Sequence, residues 1–542
     1  MKNKFYTILF LLVILGLTLY FPIRLHHSLN KQKVVDKETV LNSTFYNDAF
    51  YYLTVADNYA QTGMNTYDGI NPTNGYHFLW QNILNVSFTG VDDKETQLQF
   101  AFILSLTFTL AAYLILFMQL FKITNSRFLA LLTLFPGFFY MLFAVALGQH
   151  YSPWSIINGM ESGLVLLLFA TFLLVSIKFS GGVLSEKSFY TVSSIVLSLI
   201  VLARLDEVFL LISFIITILL YGKGNKVKNI LFAGLVPALV IVSYLIYNRI
   251  EFGLMLPVSG LLKTSFGFDN LGHLLNSVLT GRSFDYLSGE HLFVRVLSLI
   301  IPLIFVPLFI RTVKKKNTDN NPKWIFILNV FGYYVVLKSV YIFFFVDFWH
   351  QGYWYFYNQV FIFNMMFAVL LRQYAPGVLK SKMFCILAIM VIVILSHSYF
   401  LDYEKSLISG EKLQKNNMTR INKLIAEVIP EGSIIEFDDG IIAYSTTNRC
   451  LSGFGLCIDK QGYDAIRKGE LLDLAYKRGY RYLASVNYFK RSGETNKDKI
   501  MVNDFIKIPF FALQNEKTGK WRFNTVLEDS ISGLTVINFH KK

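Results

Sequence analysis

The sequence predicts an α-helical polytopic membrane protein with about eleven crossings, external juxtamembrane helices and a C-terminal soluble α/β domain. Three observations carry this. The chain of 542 residues is 54% hydrophobic and only 16% charged, too apolar for one water-soluble core. Apolar runs of roughly 16–24 residues, the length that lets a helix cross the hydrocarbon layer, recur along its first three quarters. After about residue 400 the composition changes to that of a soluble domain.

The runs lie near 5–22, 98–121, 128–146, 160–177, 188–203, 207–221, 229–248, 292–310, 324–346, 357–371 and 383–400. Basic residues orient them. "MKNK", "FKITNSR" from Phe121, Lys178 with Lys187, "KGNKVK" from Lys223, "RTVKKKNTDNNPK" from Arg311 and "RQYAPGVLKSK" from Arg372 fall on alternate loops, as cytoplasmic loops should. This places the N-terminus inside, and an odd number of crossings places the C-terminal part outside. The expected arrangement is a multi-pass membrane protein with the C-terminal domain extracytoplasmic. No small-residue cleavage site follows "LTLYFPIRLHH", so the first run reads as an uncleaved anchor. The formal charge of +14 sits largely on thin cytoplasmic loops, where orientation explains it, and nucleic acid is not an expected partner.

Two domains follow: 1–403 for the membrane part and 404–542 for the soluble part, with a first external loop over about 23–97. Within that loop, Tyr52, Val55, Ala56 and Tyr59 recur three or four apart and Gly63 offers a stop, which predicts a helix over 49–63 lying along the membrane surface. Asp48 stands at its start, an ordinary N-cap position. "YDGINPTNGYHFLW" then supplies successive turns before His77 and Trp80. In the soluble part "SIIEF" and "RYLASV" read as strands, "ELLDLAYKRGY" as a helix ending on glycine, "FFALQNEKTGKWRFNTVLE" as a hairpin about Lys517-Thr518-Gly519, and "GLTVINF" as a closing strand. Cys450 and Cys457 share the predicted outer side, as a bridged pair or as two buried small residues; Cys385 lies in an apolar run.

The stretch from Asn47 to Trp80 resembles the first external loop of the GT-C superfamily, membrane glycosyltransferases that take a sugar from a polyprenyl-phosphate carrier, and above all a bacterial subgroup reading approximately "DDAYYYL...A.G...FDGINPTNGYHPLW" there. "NGMESGL" at Asn158, "ARLDEV" at Ala203, "NRIEFGLMLPVSGLLK" at Asn248 and "FDDGIIAY" at Phe437 resemble further motifs of that subgroup, in the same order along the chain. Two departures stand out. Asn47 replaces the first of two acidic residues, which argues against a metal, since a divalent cation usually wants more than one carboxylate. Leu205 replaces a proline but leaves Arg204 and Asp206 in place.

What the resemblance implies is an inverting glycosyltransferase in which Asp48 is the general base that deprotonates the acceptor hydroxyl. Arg204 and Lys263 are candidates for gripping the phosphate, though a lysine at the end of a membrane run is commonly an anchor and Arg204 with Asp206 is commonly structural. Glu161 and His77 are candidates for orienting substrate, against capping and turn-closing roles, and Tyr51 and Asn74 join the substrate-binding set from within the matched loop. The expected partners are a polyprenyl-phosphate-linked sugar donor, an extracytoplasmic glycan, lipid or protein acceptor, and the bilayer; no cofactor is expected. "DFWHQGYWYFYNQ" from Asp347 reads as an interfacial aromatic belt before a sugar platform, and Asp92 with Asp93 as solvated loop charge before a second acidic contribution to the site. The alternatives are a transporter or lipid flippase, or a non-catalytic scaffold of the same fold. Charges gathering at the outer ends of the crossings, and the lack of a repeat, argue against the transporter.

Overall fold

A computed structural model describes residues 2–30, 45, 47–134, 157–222, 224–264, 322–346, 355, 357–408, 417–429, 432–438, 440–486 and 520–542. The expected crossing at 292–310 and most of that at 128–146 lie outside these residues, as do the expected turn at Lys517–Gly519 and most of the 347–359 aromatic stretch.

Among the described residues five helices are long and apolar enough to span a bilayer: Lys94–Thr124, Ser162–Ser180, Glu186–Ala203, Lys226–Phe252 and the Ile325–Ile342 part of Pro322–Phe345. Further helices run over Lys2–Asn30, Val208–Tyr221, Tyr357–Tyr374 and Lys382–Ile408. The protein is membrane-integral. The spanning helices pack in a chain of neighbours: Lys94–Thr124 on Ser162–Ser180, the latter on Glu186–Ala203, and that helix in turn on Lys226–Phe252. Pro322–Phe345 lies on Val208–Tyr221. Their seam is aromatic, with Phe179 and Phe189 stacked at 4.1 Å and Phe172 edge-on to both Phe214 and Phe331.

The helix after Asp48 forms over Ala49–Thr62 and stops at Gly63, whose φ of +72° is the left-handed cap a glycine supplies without steric cost. It does not lie open on a surface. Every residue from Ala49 to Asp57 is buried, because the Phe78–Phe88 helix covers one side and the short Ile441–Ser445 helix of the C-terminal region covers another.

The C-terminal region is a five-stranded sheet in the order β2-β1-β3-β5-β4, with β1 Ser433–Glu436, β2 Arg449–Ser452, β3 Tyr482–Ser485, β4 Trp521–Glu528 and β5 Thr535–Lys541. β1 runs parallel to both β2 and β3, while β5 is antiparallel to β3 and β4. The hairpin seen here joins β4 to β5, closed by Gly533 N–H donating to the Asp529 carbonyl. Cys450 and Cys457 are both free thiols, buried in the core.

Because β1 is flanked on both sides by parallel strands, its carboxyl end is the point at which such sheets ordinarily leave a crevice for a ligand. Here protein fills it. The Tyr67 hydroxyl donates to Glu436 Oε1 at the last residue of β1. A Cβ on Gly440 would meet the backbone of Phe50 and Tyr51 at 2.7 Å. Burial, reinforced by Asp438, pushes the Glu436 carboxyl up to about 8. Around this contact Asp68 pairs with Arg449 at 3.1 Å and accepts from the Tyr480 hydroxyl at 3.1 Å, and Lys94 Nζ donates to the Tyr444 carbonyl at 2.5 Å.

Candidate functional site

The loop after β2 reaches further, to the wall of a cavity of about 380 Å³. Asp48, Tyr51, His77, Arg204, Asp206 and Lys263 all line it, so six of the eight residues singled out in the sequence meet in one place. The other two stand behind the wall. Asn74 donates to Asn248 Oδ1 and to the Leu256 carbonyl, both at 3.2 Å, and accepts from Val258 N–H at 3.1 Å, which pins the turn that carries Lys263. Glu161 is fully buried beneath Arg204.

The local backbone explains where these side chains point. Asp48, Glu161 and Glu207 each precede a helix, yet each already has a helical backbone and none caps with its side chain. His77 precedes Phe78–Phe88 and does not cap it either. An acidic residue freed from the N-cap bond carries its carboxylate elsewhere. Asp48 Oδ2 lies 3.5 Å from Lys263 Nζ, both side chains about 15% exposed.

Below that pair the charges lock. Arg204 Nη1 meets Glu161 Oε1 at 2.5 Å and its Nε lies 2.7 Å from Asp206 Oδ1, while the guanidinium sits 4.5 Å over the Tyr355 ring. The Tyr52 hydroxyl donates to Glu161 Oε2 at 3.0 Å, and His77 Nε2 stands 3.7 Å from Oε1. Burial would raise the Asp206 carboxyl, but Arg204 and then Lys338 hold it down at about 2. Burial also lowers the His77 imidazole, against the pull of Glu161, so the ring is neutral near pH 7.

Sequence reasoning missed several participants. Glu207 is buried and accepts from Tyr334 at 2.6 Å, from Asn358 at 2.9 Å and from Lys338 at a short contact. Lys338 is fully buried inside a spanning helix, so the charges do not all gather at helix ends; an ionisable residue within an apolar run was the signal available for it. Tyr355, from the aromatic stretch read first as an interfacial belt, lines the cavity instead. Asp93 is not at the site: it caps the Lys94–Thr124 helix by accepting from Thr96 N–H at 2.8 Å. The C-terminal region contributes Leu456, whose carbonyl a Cβ on Gly75 would meet at 1.8 Å; only a glycine lets the two segments touch there.

No protein-family model matches the chain, and no curated protein matches it in sequence. Among solved structures it is similar to ArnT from Cupriavidus metallidurans bound to undecaprenyl phosphate, at 11% identity and a TM-score of 0.50, over 98% of this chain and 97% of that one. An oligosaccharyltransferase from Archaeoglobus fulgidus aligns at 10% identity and a TM-score of 0.44, over 88% of this chain and 69% of that one. The likeness to ArnT extends over nearly the whole length of both chains and shows a shared fold.

Proposed function

We propose that this chain is an integral membrane glycosyltransferase of GT-C type, which moves a sugar from a polyprenyl-phosphate carrier to an extracytoplasmic glycan, lipid or protein with inversion, using Asp48 as general base. One observation carries the reading: an acidic side chain at a helix start that leaves its cap unmade and faces a cavity, with a lysine 3.5 Å away. A fold neighbour, ArnT, is bound to undecaprenyl phosphate, which supports a polyprenyl-phosphate donor.

The chemistry follows from the residues. The acceptor hydroxyl gives its proton to the Asp48 carboxylate as its oxygen attacks the anomeric carbon. The bond from that carbon to the phosphate oxygen breaks, and one displacement inverts the centre. The leaving phosphate gains charge, which Lys263 meets directly. The Phe78–Phe88 helix opens on the cavity at His77, and the positive end of its dipole favours an anion there. Arg204, engaged by two carboxylates, is a fixed donor in the wall. Neutral His77 presents a ring nitrogen to the sugar or phosphate, and Leu456, Tyr341 and Phe345 exclude water. No metal is needed in this scheme.

The test is transfer itself. Purified protein in liposomes is given a radiolabelled sugar on undecaprenyl phosphate together with a membrane extract from cells lacking the protein. Label should leave the carrier and appear in an acceptor fraction with wild-type protein and stay on the carrier with Asp48→Asn. Equal transfer by the two proteins sinks the base assignment, and movement of intact carrier across the bilayer without bond cleavage would make the protein a flippase.

A further inference from the structure

Lys338 does not line the cavity and has no direct part in the proposed transfer chemistry. It lies seven residues before the end of its helix at Phe345, roughly 10 Å along the axis. Its side chain is completely buried in a segment apolar enough to span the bilayer. A lysine there is costly unless paired, and for packing alone an aliphatic residue would serve as well.

Its neighbours give the reason. Arg204 is paired with Glu161 and Asp206, and Glu207, adjacent to Asp206 in sequence, adds a third carboxylate that acts on the guanidinium at longer range. Lys338 Nζ contacts Glu207 Oε1 and lies 3.5 Å from Asp206 Oδ2. Glu207 is then saturated, with Lys338 and Asn358 on one oxygen and Tyr334 on the other. Asp206 bridges the two cations. Without Lys338, either Arg204 is drawn toward all three carboxylates or the cluster takes up a proton to replace the lost charge. Both outcomes change what Arg204 presents to the cavity, which it lines beside Asp206.

We propose that Lys338 is a positioning residue of this site: from inside the membrane helix it neutralises Glu207 and shares Asp206, so that Asp206 remains a clamp on Arg204 and the guanidinium keeps its place in the cavity wall. This rests on the glycosyltransferase reading for its kinetic consequence but not for its electrostatic one. The groups facing Asp206 are Arg204, His77 and Tyr355, with Tyr334, Lys338 and Tyr341 from the Pro322–Phe345 helix, and Lys338 is the cation among them that stands off the cavity.

The test compares wild-type, Lys338→Met and Lys338→Arg proteins in liposomes by infrared titration and by transfer rate. Lys338→Met should gain a protonated-carboxyl band that titrates between about pH 5 and 8 and is removed by adding Asp206→Asn or Glu207→Gln. Its kcat/KM should fall about tenfold at pH 6 and recover in part at pH 8, as expected for a shift of one pH unit or more. Lys338→Arg should keep the wild-type profile. Where Lys338→Met does not fold, the charge-balanced pair Lys338→Met with Glu207→Gln should fold and transfer. No new carboxyl band in Lys338→Met, a loss of rate equal at both pH values, or a folded double variant that transfers no sugar overturns the proposal. The band is read without substrate, so a wild-type protein that transfers nothing counts against the functional reading alone.

Discussion

Among the described residues, two sets of helix starts differ in what their polar first residues do, one set away from the cavity and one beside it. Away from the cavity, Asp93, Ser185, Asn225, Asn417 and Asp459 precede helices with extended backbones, and each side chain accepts a backbone N–H of the first turn. Around the cavity, Asp48, Glu161 and Glu207 precede helices with backbones already helical, and their side chains make no cap bond. His77, with an extended backbone, makes none either. Asp93 and Asp48 are the same residue type in the same place relative to a helix, with opposite outcomes. Residue type at a helix start therefore does not announce function. A cap left unmade beside a cavity is what singles out Asp48 for test.

This contrast can be broken most decisively at Asp48. Asp48→Asn should cost about 10²–10⁴ in transfer rate, the usual worth of a general base, while thermal unfolding in detergent changes little, because no cap is lost and the amide oxygen still accepts from Lys263. A drop in unfolding temperature with normal transfer would return Asp48 to the structural group. Next comes Glu207, uncapped but locked. Glu207→Leu leaves Lys338 buried without its main partner and should destabilise the fold by about 3–5 kcal/mol in denaturant titration. A variant as stable as wild type would show that the network is not what holds these helices together.

His77 sharpens the comparison through pH. Burial depresses its folded pKa below the unfolded value of about 6.5, so the unfolded chain binds the extra proton first and stability falls as pH drops below that value. Unfolding temperature measured between pH 7 and 5 should decline less steeply in His77→Asn than in wild type, and equal slopes would count against a buried neutral ring. The smallest effect is expected at a made cap. Asn225→Ala removes the acceptor for Lys228 N–H and should cost about 1 kcal/mol of stability with transfer unchanged.

Much of this was legible in the chain. Long apolar runs fix spanning helices because a backbone in lipid must bond to itself, and the runs at Lys94–Thr124, Ser162–Ser180, Glu186–Ala203 and Lys226–Phe252 appear within a few residues of where hydropathy puts them. Gly63 and Gly479 mark the ends of their helices because a positive φ suits a residue without a side chain. Asp48, His77, Arg204 and Lys263 were found through motif resemblance, since no local pattern links positions so far apart.

What the sequence alone determined is which segments are apolar, where turns fall and which polar residues flank the runs, because these depend on neighbours a few residues away. Tertiary structure alone decided that Glu161 sits beneath Arg204, that Lys338 reaches Asp206 and Glu207, and that the carboxyl edge of the C-terminal sheet closes on Tyr67 and Gly75. Those contacts join residues tens to hundreds of positions apart. Their energies arise from burying charge and excluding water, and both exist only once the chain has packed.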